Sequence, residues 1–291
     1  MIDQEKKFGL ILSKLRKTYG FDFSQYRMGT IRRRLARRMA FTGADSYRDY
    51  LDILEERPQE YGHLLNNLTI KVSRFFRNQY VFERLQKEIL PDLFRQKKEG
   101  AKHVLRIWCA GCAFGEEVYS VAITLVEYLK KKKKIGNYDI TIFGTDIDEE
   151  TLEKARLGIY DEDAVREVKK GILDEYFHVK GDHYQVVDSI KSLVSFTIHD
   201  LTSERYICPP AGVIANYDLI LCRNTLIYFS VPLQEKVFSN LSRSLNRGGY
   251  LILGRSESIP KDLENFFDLK NRKKRIFQKK WNQNDSSFLT S

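Results

Sequence analysis

Apolar positions in the N-terminal part of the chain recur at helical spacing. Phe8, Ile11, Leu12, Leu15 and Tyr19 fall at i, i+3, i+4, i+7 and i+11, one face of an amphipathic helix that Gly20 ends. A second helix is expected over Ser24–Phe41, with Ser24 as N-cap and Met28, Ile31, Leu35 and Met39 on one face. Arg33, Arg34 and Arg37 lie opposite, flanked by Arg27 and Arg38. Two further helices, Ser46–Glu56 and Pro58–Leu68, open on residues suited to helix starts.

The helical period breaks over Thr69–Asn78 and resumes in a helix carrying Val81, Leu85, Ile89 and Leu90. A composition shift here places a domain boundary at about residue 78, giving a helical domain over 1–78 and a second domain over 79–291. From His103 onward, short apolar runs alternate with helical stripes. Strands are expected at Val104–Cys109, Ile140–Thr145, Tyr217–Cys222 and Gly249–Gly254. Helices are expected around Val118–Leu129, with the lysine run Lys130–Lys134 at its C-terminal end, and at Asp148–Leu157 and Pro232–Leu245. Phe266–Lys270 and Arg275–Lys279 read as a terminal antiparallel pair. This alternation predicts an α/β fold, a doubly wound Rossmann-like sheet with helices on both faces. Residues 174–195 interrupt it with two short strands around Gly181-Asp182, an inserted β-hairpin subdomain.

Composition adds a charge. Lysine and arginine number 49 against 39 acidic residues, a net +10, which points to an acidic or polyanionic partner. No acidic residue interrupts the arginines between Arg27 and Arg38, so a docking surface is expected there, carried by Arg33, Arg34, Arg37 and Arg38. The first residues hold no apolar signal-peptide core, and no apolar run approaches the ~20 residues that cross a bilayer. Cys109, Cys112, Cys208 and Cys222 therefore read as reduced thiols of a cytoplasmic protein. Cys109 and Cys112 form a lone C-x-x-C without the second pair a zinc site needs, and no metal is expected.

The candidate chemistry centres on Arg106–Glu117, an apolar strand running into a two-glycine turn and then a helix. In an open parallel sheet, ligands sit beyond the carboxyl ends of the strands, where this turn falls. Asp146 closes the next strand and has the chemistry to accept hydrogen bonds from ribose hydroxyls. Its distance from the turn exceeds the usual ~20 residues, and the lysine-bearing extension of the intervening helix accounts for the excess. Asp148, two residues on, reads as a helix cap.

Arg106–Ser120, Ser73-Arg-Phe-Phe-Arg77, Thr145-Asp-Ile-Asp148, Leu221-Cys-Arg-Asn-Thr-Leu-Ile-Tyr-Phe229 and Gly248–Glu257 together resemble the CheR family of chemotaxis-receptor glutamate O-methyltransferases, over essentially the whole chain. The resemblance implies S-adenosylmethionine as methyl donor and glutamate side chains of chemotaxis receptors as acceptors, with a γ-glutamyl methyl ester as product. It implies cofactor contacts at Ser73, Arg77, Glu117 and Asp146, with Asp200 and Leu201 near the adenine and Arg223 and Asn224 close by. It implies that Arg77 and Tyr228 face the transferring methyl, and that methyl-accepting receptors, rather than nucleic acid or membrane, are the partners. Departures stand at Lys71 and Ser73, where the family has asparagine and threonine, at Ala113 and Phe114 in the glycine turn, and at Asp200, where asparagine is common. Two alternatives are a nucleic-acid methyltransferase, which would want an Asn/Asp-Pro-Pro-Tyr pocket that this sequence lacks, and a cofactor-binding module without catalysis.

Overall fold

The computed structural model describes residues 2–19, 22–69, 71, 73–97, 103–133, 138–203, 207–209, 216–271 and 275–281. Gly20 and Lys134 lie outside the described residues. By contacts the chain divides into two compact units, residues 1–71 with Tyr228–Gln234, and residues 72–227 with 235–291.

The first unit holds α1 (Ile2–Tyr19), α2 (Met28–Thr42), α3 (Tyr47–Glu56) and α4 (Gln59–Leu68). Its core takes Phe8, Ile11 and Leu15 from α1, Ile31, Leu35 and Met39 from α2, and Leu54, Leu64 and Leu65 from α3 and α4, so the apolar periods read for α1 and α2 lie on buried faces, except that Tyr19 at the end of α1 is exposed. A reciprocal capping box starts α3: Ser46 Oγ accepts from the Asp49 N–H, and the Asp49 carboxylate accepts from the Ser46 N–H. Ser24 does not cap α2. Asp22 caps a short 3₁₀ turn, Phe23–Gln25, and α2 begins only at Met28. The delay has a tertiary cause. Tyr26 is extended and bridges Phe229, the Arg27 N–H donates to Tyr228 O at 2.9 Å, and the Ser230 N–H donates to Gln25 O at 2.9 Å. These bonds hold the segment strand-like up to residue 27.

The second unit begins with α5 (Tyr80–Arg84) and α6 (Leu90–Gln96), joined through a π-helical turn, Leu85–Ile89. The Leu90 N–H reaches back to Leu85 O just before Pro91, which has no N–H to continue the α ladder. Then come β1 (His103–Ala110), α7 (Glu116–Lys132), β2 (Tyr138–Asp146), α8 (Glu149–Leu157), β3 (Ile159–Tyr160), α9 (Glu162–Val165), α10 (Lys170–Tyr176), β4 (Phe177–Lys180), β5 (His183–Val186), α11 (Asp188–Lys191), β6 (Val194–Ile198) and β7 (Tyr217–Cys222). The chain closes with α12 (Val231–Ser244), β8 (Leu245–Leu253), β9 (Phe267–Asn271) and β10 (Ile276–Lys279).

Seven strands form one sheet in the order β6-β2-β1-β7-β8-β10-β9, parallel except at β10. All six residues of β7 are buried, as a central strand covered on both faces requires. The order turns in opposite directions on the two sides of β1, so the switch point lies between β1 and β7. The expected hairpin is β4–β5, but β3 adds a third strand to it, and Val194-Ser195, expected within the insertion, open β6 of the main sheet. Edge pairing of Ile142–Asp146 with Val194–Ile198 takes those residues away from the insertion. The strand expected from Gly249 begins at Leu245. Among the described residues no helix is long and apolar enough to cross a membrane.

Candidate functional site

The carboxyl ends of β1, β2, β6 and β7 converge on the glycine turn. The Gly111 and Cys112 N–H groups both donate to Thr145 O at 2.8 Å, and the Ala113 N–H donates to Asp146 Oδ2 at 2.9 Å. The other Asp146 oxygen accepts from the N–H groups of Ile147 at 2.8 Å and Asp148 at 3.3 Å. Asp146 therefore fixes the turn that it borders. Burial pushes its carboxyl above the usual range, against the lowering effect of those three N–H donors. Beneath the turn, Trp108 Nε1 donates to Thr145 Oγ1 at 2.9 Å. Gly111 has φ +72°, and a Cβ there would run into the Thr225 side chain after β7, so only glycine allows the two segments to meet.

Two adjacent carboxylates open α7. Glu117 pairs with the Arg223 guanidinium, whose side chain is 2% exposed. The same guanidinium donates from Nη2 to Arg77 O at 3.1 Å and to Asn78 Oδ1 at 3.0 Å. Arg223 thus fastens the Phe-Phe-Arg segment to the end of β7 and to α7. Within that segment, Phe75 is fully buried, edge-on to Tyr160 and Phe177, and the Phe76 N–H donates to Ser120 Oγ at 2.9 Å. These contacts leave Arg77 half-buried beside the ion pair.

Glu116 is the neighbour that sequence reasoning passed over. It is 4% exposed, it takes a hydrogen bond from Ser73, and its Oε2 has no hydrogen-bond partner among the described residues. Burial pushes its carboxyl up to about 7. Glu257 was quoted above only as part of a motif. Its carboxylate accepts backbone N–H groups from Asn224, Thr225, Leu226 and Gly254. An acid three residues past an apolar strand was the available signal. Asp200 follows β6, and its Oδ1 accepts from Thr202 N and Oγ1 at 2.8 and 2.7 Å; Leu201 is half-buried beside it. The His199 N–H donates to Asp146 O at 3.0 Å, which links this segment to the end of β2.

Backbone conformation marks the same place. Among the described residues six non-glycine residues have positive φ, and four of them, Phe76, Asn78, Ala113 and Asn224, lie in these segments. Such residues concentrate where surrounding structure holds the chain for function. Cys109, Cys112 and Cys222 are buried thiols, each pushed well above its ordinary pKa by burial, so they pack rather than react.

Residues 71–275 match the family model described as "CheR methyltransferase, SAM binding domain", and residues 6–69 match "CheR methyltransferase, all-alpha domain". The chain belongs to the CheR methyltransferase family. With membership come the cofactor, S-adenosylmethionine, and the reaction class, methyl transfer. A probable chemotaxis protein methyltransferase of Rhizobium etli is 30% identical over 86% of this chain and 91% of its own length. A chemotaxis protein methyltransferase of Listeria monocytogenes is 30% identical over 92% of this chain and 98% of its own. An uncharacterized 104.1 kDa protein of Rhodobacter capsulatus is also 30% identical over 95% of this chain, which spans only 28% of that longer protein.

The residues present fit the cofactor. S-adenosylmethionine carries a sulfonium and an ammonium, and the turn gathers Glu116, Glu117 and Asp146 against one paired guanidinium, an environment suited to cationic charge. Asp146 Oδ2 accepts a single backbone N–H, from Ala113, and keeps a lone pair beyond it.

The other expected positions fall in the helical unit. Tyr228 groups with it, its ring 6.0 Å from the Arg34 guanidinium. The basic stripe divides in two. Arg34 Nη1 donates to the carbonyls of Asn67 and Leu68 at 2.8 and 3.0 Å, capping the end of α4. Arg38 forms a two-pronged pair with Glu60, at 2.6 Å on each side. Both are bound within the unit and only partly exposed. Arg33 and Arg37 remain exposed.

Proposed function

We propose that the chain transfers the methyl group of S-adenosylmethionine to glutamate side chains of chemotaxis receptors, forming glutamyl methyl esters. The reading rests on the convergence of four strand ends on a glycine turn with an acidic surround, in a chain of the CheR family. The curated relatives named as chemotaxis methyltransferases support the receptor as substrate class.

A glutamate carboxylate is ionised at neutral pH, its reference pKa being about 4.3, so the acceptor needs no general base. The bound cofactor supplies an electrophilic methyl carbon. The chain's task is to hold the nucleophilic oxygen in line and desolvated, at roughly 3–3.5 Å. Ser73, Arg77, Glu117, Asp146, Asp200, Leu201 and Asn224 are proposed to bind the cofactor, with Arg223 acting through Glu117 and the Phe-Phe-Arg segment. Arg77 and Tyr228 are proposed to face the transferring methyl. A full two-pronged clamp by Arg77 on the acceptor would weaken the nucleophile, so a single contact is expected.

The N-terminal helices, residues 1–78 on the division read from the sequence, are proposed to dock the receptor through Arg33 and Arg37 on an acidic helical surface, with the methyl transferred in 79–291. Electrostatic docking of this kind governs encounter and orientation more than affinity. The test is transfer of tritiated methyl to a receptor cytoplasmic domain, with base-labile label on the receptor band as the expected result. Label on RNA instead, or none on protein, overturns the substrate reading. Arg33→Glu with Arg37→Glu should lower receptor methylation about tenfold at low salt and leave cofactor affinity unchanged. Undiminished methylation at low salt removes the docking role.

A further inference from the structure

We propose that Glu257 is the positioning residue of the cofactor site, a buried carboxylate that sets the loop after β7 against the glycine turn. It deepens the reading above at the cofactor end and does not depend on which protein is methylated.

Glu257 is 4% exposed. Its Oε1 accepts from the N–H groups of Thr225 and Leu226, each at 2.8 Å. Its Oε2 accepts from the N–H groups of Asn224 at 3.0 Å and Gly254 at 2.5 Å. The Glu257 N–H closes the turn by donating to Gly254 O at 3.0 Å. One side chain thus satisfies three consecutive N–H groups after β7 and one after β8, the two strands on one side of the switch point. A neutral side chain of the same size cannot do this, because an amide offers one accepting oxygen and turns N–H donors toward N–H donors. Hydrogen bonds to an ionised acceptor are also the stronger kind.

Asn224 is held at φ +60°, in the left-handed region. A Cβ on Gly254 would come within 2.5 Å of Glu257 Oε2 and 2.7 Å of the Asn224 N, so glycine is needed for the carboxylate to reach all four donors. On the opposite side, Thr225 abuts Gly111 of the cofactor turn. Arg223, one residue earlier, reaches Glu117 and the backbone of Arg77. The loop therefore touches both the glycine turn and the Phe-Phe-Arg segment, and Glu257 is what holds its backbone. Released from the clamp, Thr225 and Arg223 would both lose their register with the turn.

Calorimetric titration of Glu257→Gln with S-adenosylmethionine tests this. The expected result is a Kd raised about tenfold or more with the stoichiometry retained, and a Kd closer to wild type in Glu257→Asp, which keeps the charge. A residue with only a structural role would lower the stoichiometry, through unfolded protein, and leave the Kd of the remainder unchanged; that outcome, or a Kd within twofold of wild type, overturns the proposal. Should Glu257→Gln fail to fold, Thr225→Ala decides in its place, with a Kd raised at least threefold expected and an unchanged Kd overturning the role of the loop. Because the readout is cofactor binding, a wild-type protein that binds cofactor but does not label receptors would sink the substrate reading and leave this one standing.

Discussion

Among the described residues each unit contains one buried arginine–glutamate pair, and the two are built for different ends. Arg38–Glu60 is a closed pair. Both carboxylate oxygens are met by the guanidinium, and Tyr50 OH donates to Oε1 at 2.7 Å. Every bond goes between helices of one small bundle. Arg223–Glu117 is an open pair. Its guanidinium divides its donors among a carboxylate, a backbone carbonyl and an asparagine, and its Nε has no partner among the described residues. The first staples α2 to α4. The second ties together three segments that border the proposed cofactor site. The same two residue types thus give a structural element where the geometry is saturated, and a site element where it branches.

The largest expected effect breaks the open pair. Arg223→Lys keeps the charge, but a single ammonium cannot span the three acceptors. Methyl transfer should fall at least about a hundredfold, with cofactor affinity down in calorimetry, because misplacement of about 1 Å is enough for such a loss. Wild-type binding and turnover in this variant would show the pair to be a staple like the other. Next, Arg38→Ala should destabilise the helical unit by about 3–5 kcal/mol in urea unfolding, by leaving Glu60 buried without its cation. Its cofactor Kd should not change. Joining Arg38→Met to Glu60→Leu should recover most of that loss, since a packed apolar pair replaces the ionic one at little cost.

The smallest effect sharpens the contrast with a carboxylate that has no cation partner among the described residues. Glu116 has its carboxyl raised from 4.5 to about 7 by burial. Below the unfolded value the group is protonated in both states and costs nothing. As pH rises through 4.5 toward 7 the unfolded chain ionises first, so stability falls across that window and levels off above it. Glu116→Gln should remove the fall, with a gain on the order of 2–3 kcal/mol at pH 8 relative to wild type and little difference below pH 4.5, read from urea midpoints. A stability difference between Glu116→Gln and wild type that does not grow between pH 4.5 and 7.5 would show that Glu116 finds a cation.

Local pattern carried the elements a long way. The apolar faces of α1 and α2, the spans of α3 and α4, the strand Tyr217–Cys222 and the cap at Asp148 follow from spacing and residue type within a few positions, and the structure has them there. The glycine turn and Asp146 were legible for the same reason, since strand ends announce themselves in apolar runs. Ser24 misled because the bonds that delay α2 are made with residues 228 and 230, far along the chain. Arg34 and Arg38 lie about 100° round the helix from Arg33 and Arg37, nearer the apolar face, and the groups that bind them, Glu60 and the carbonyls of Asn67 and Leu68, come from α4.

By itself, then, the sequence determined most of the helices and strands, the glycine turn at the end of an apolar strand, and which family's chemistry its motifs resemble. Only the tertiary structure decided which charges serve the fold and which serve the site. Periodicity is a property of neighbours along the chain, whereas a carboxylate such as Glu257 or a guanidinium such as Arg223 is assigned its role by donors and acceptors that the sheet topology brings within 3 Å.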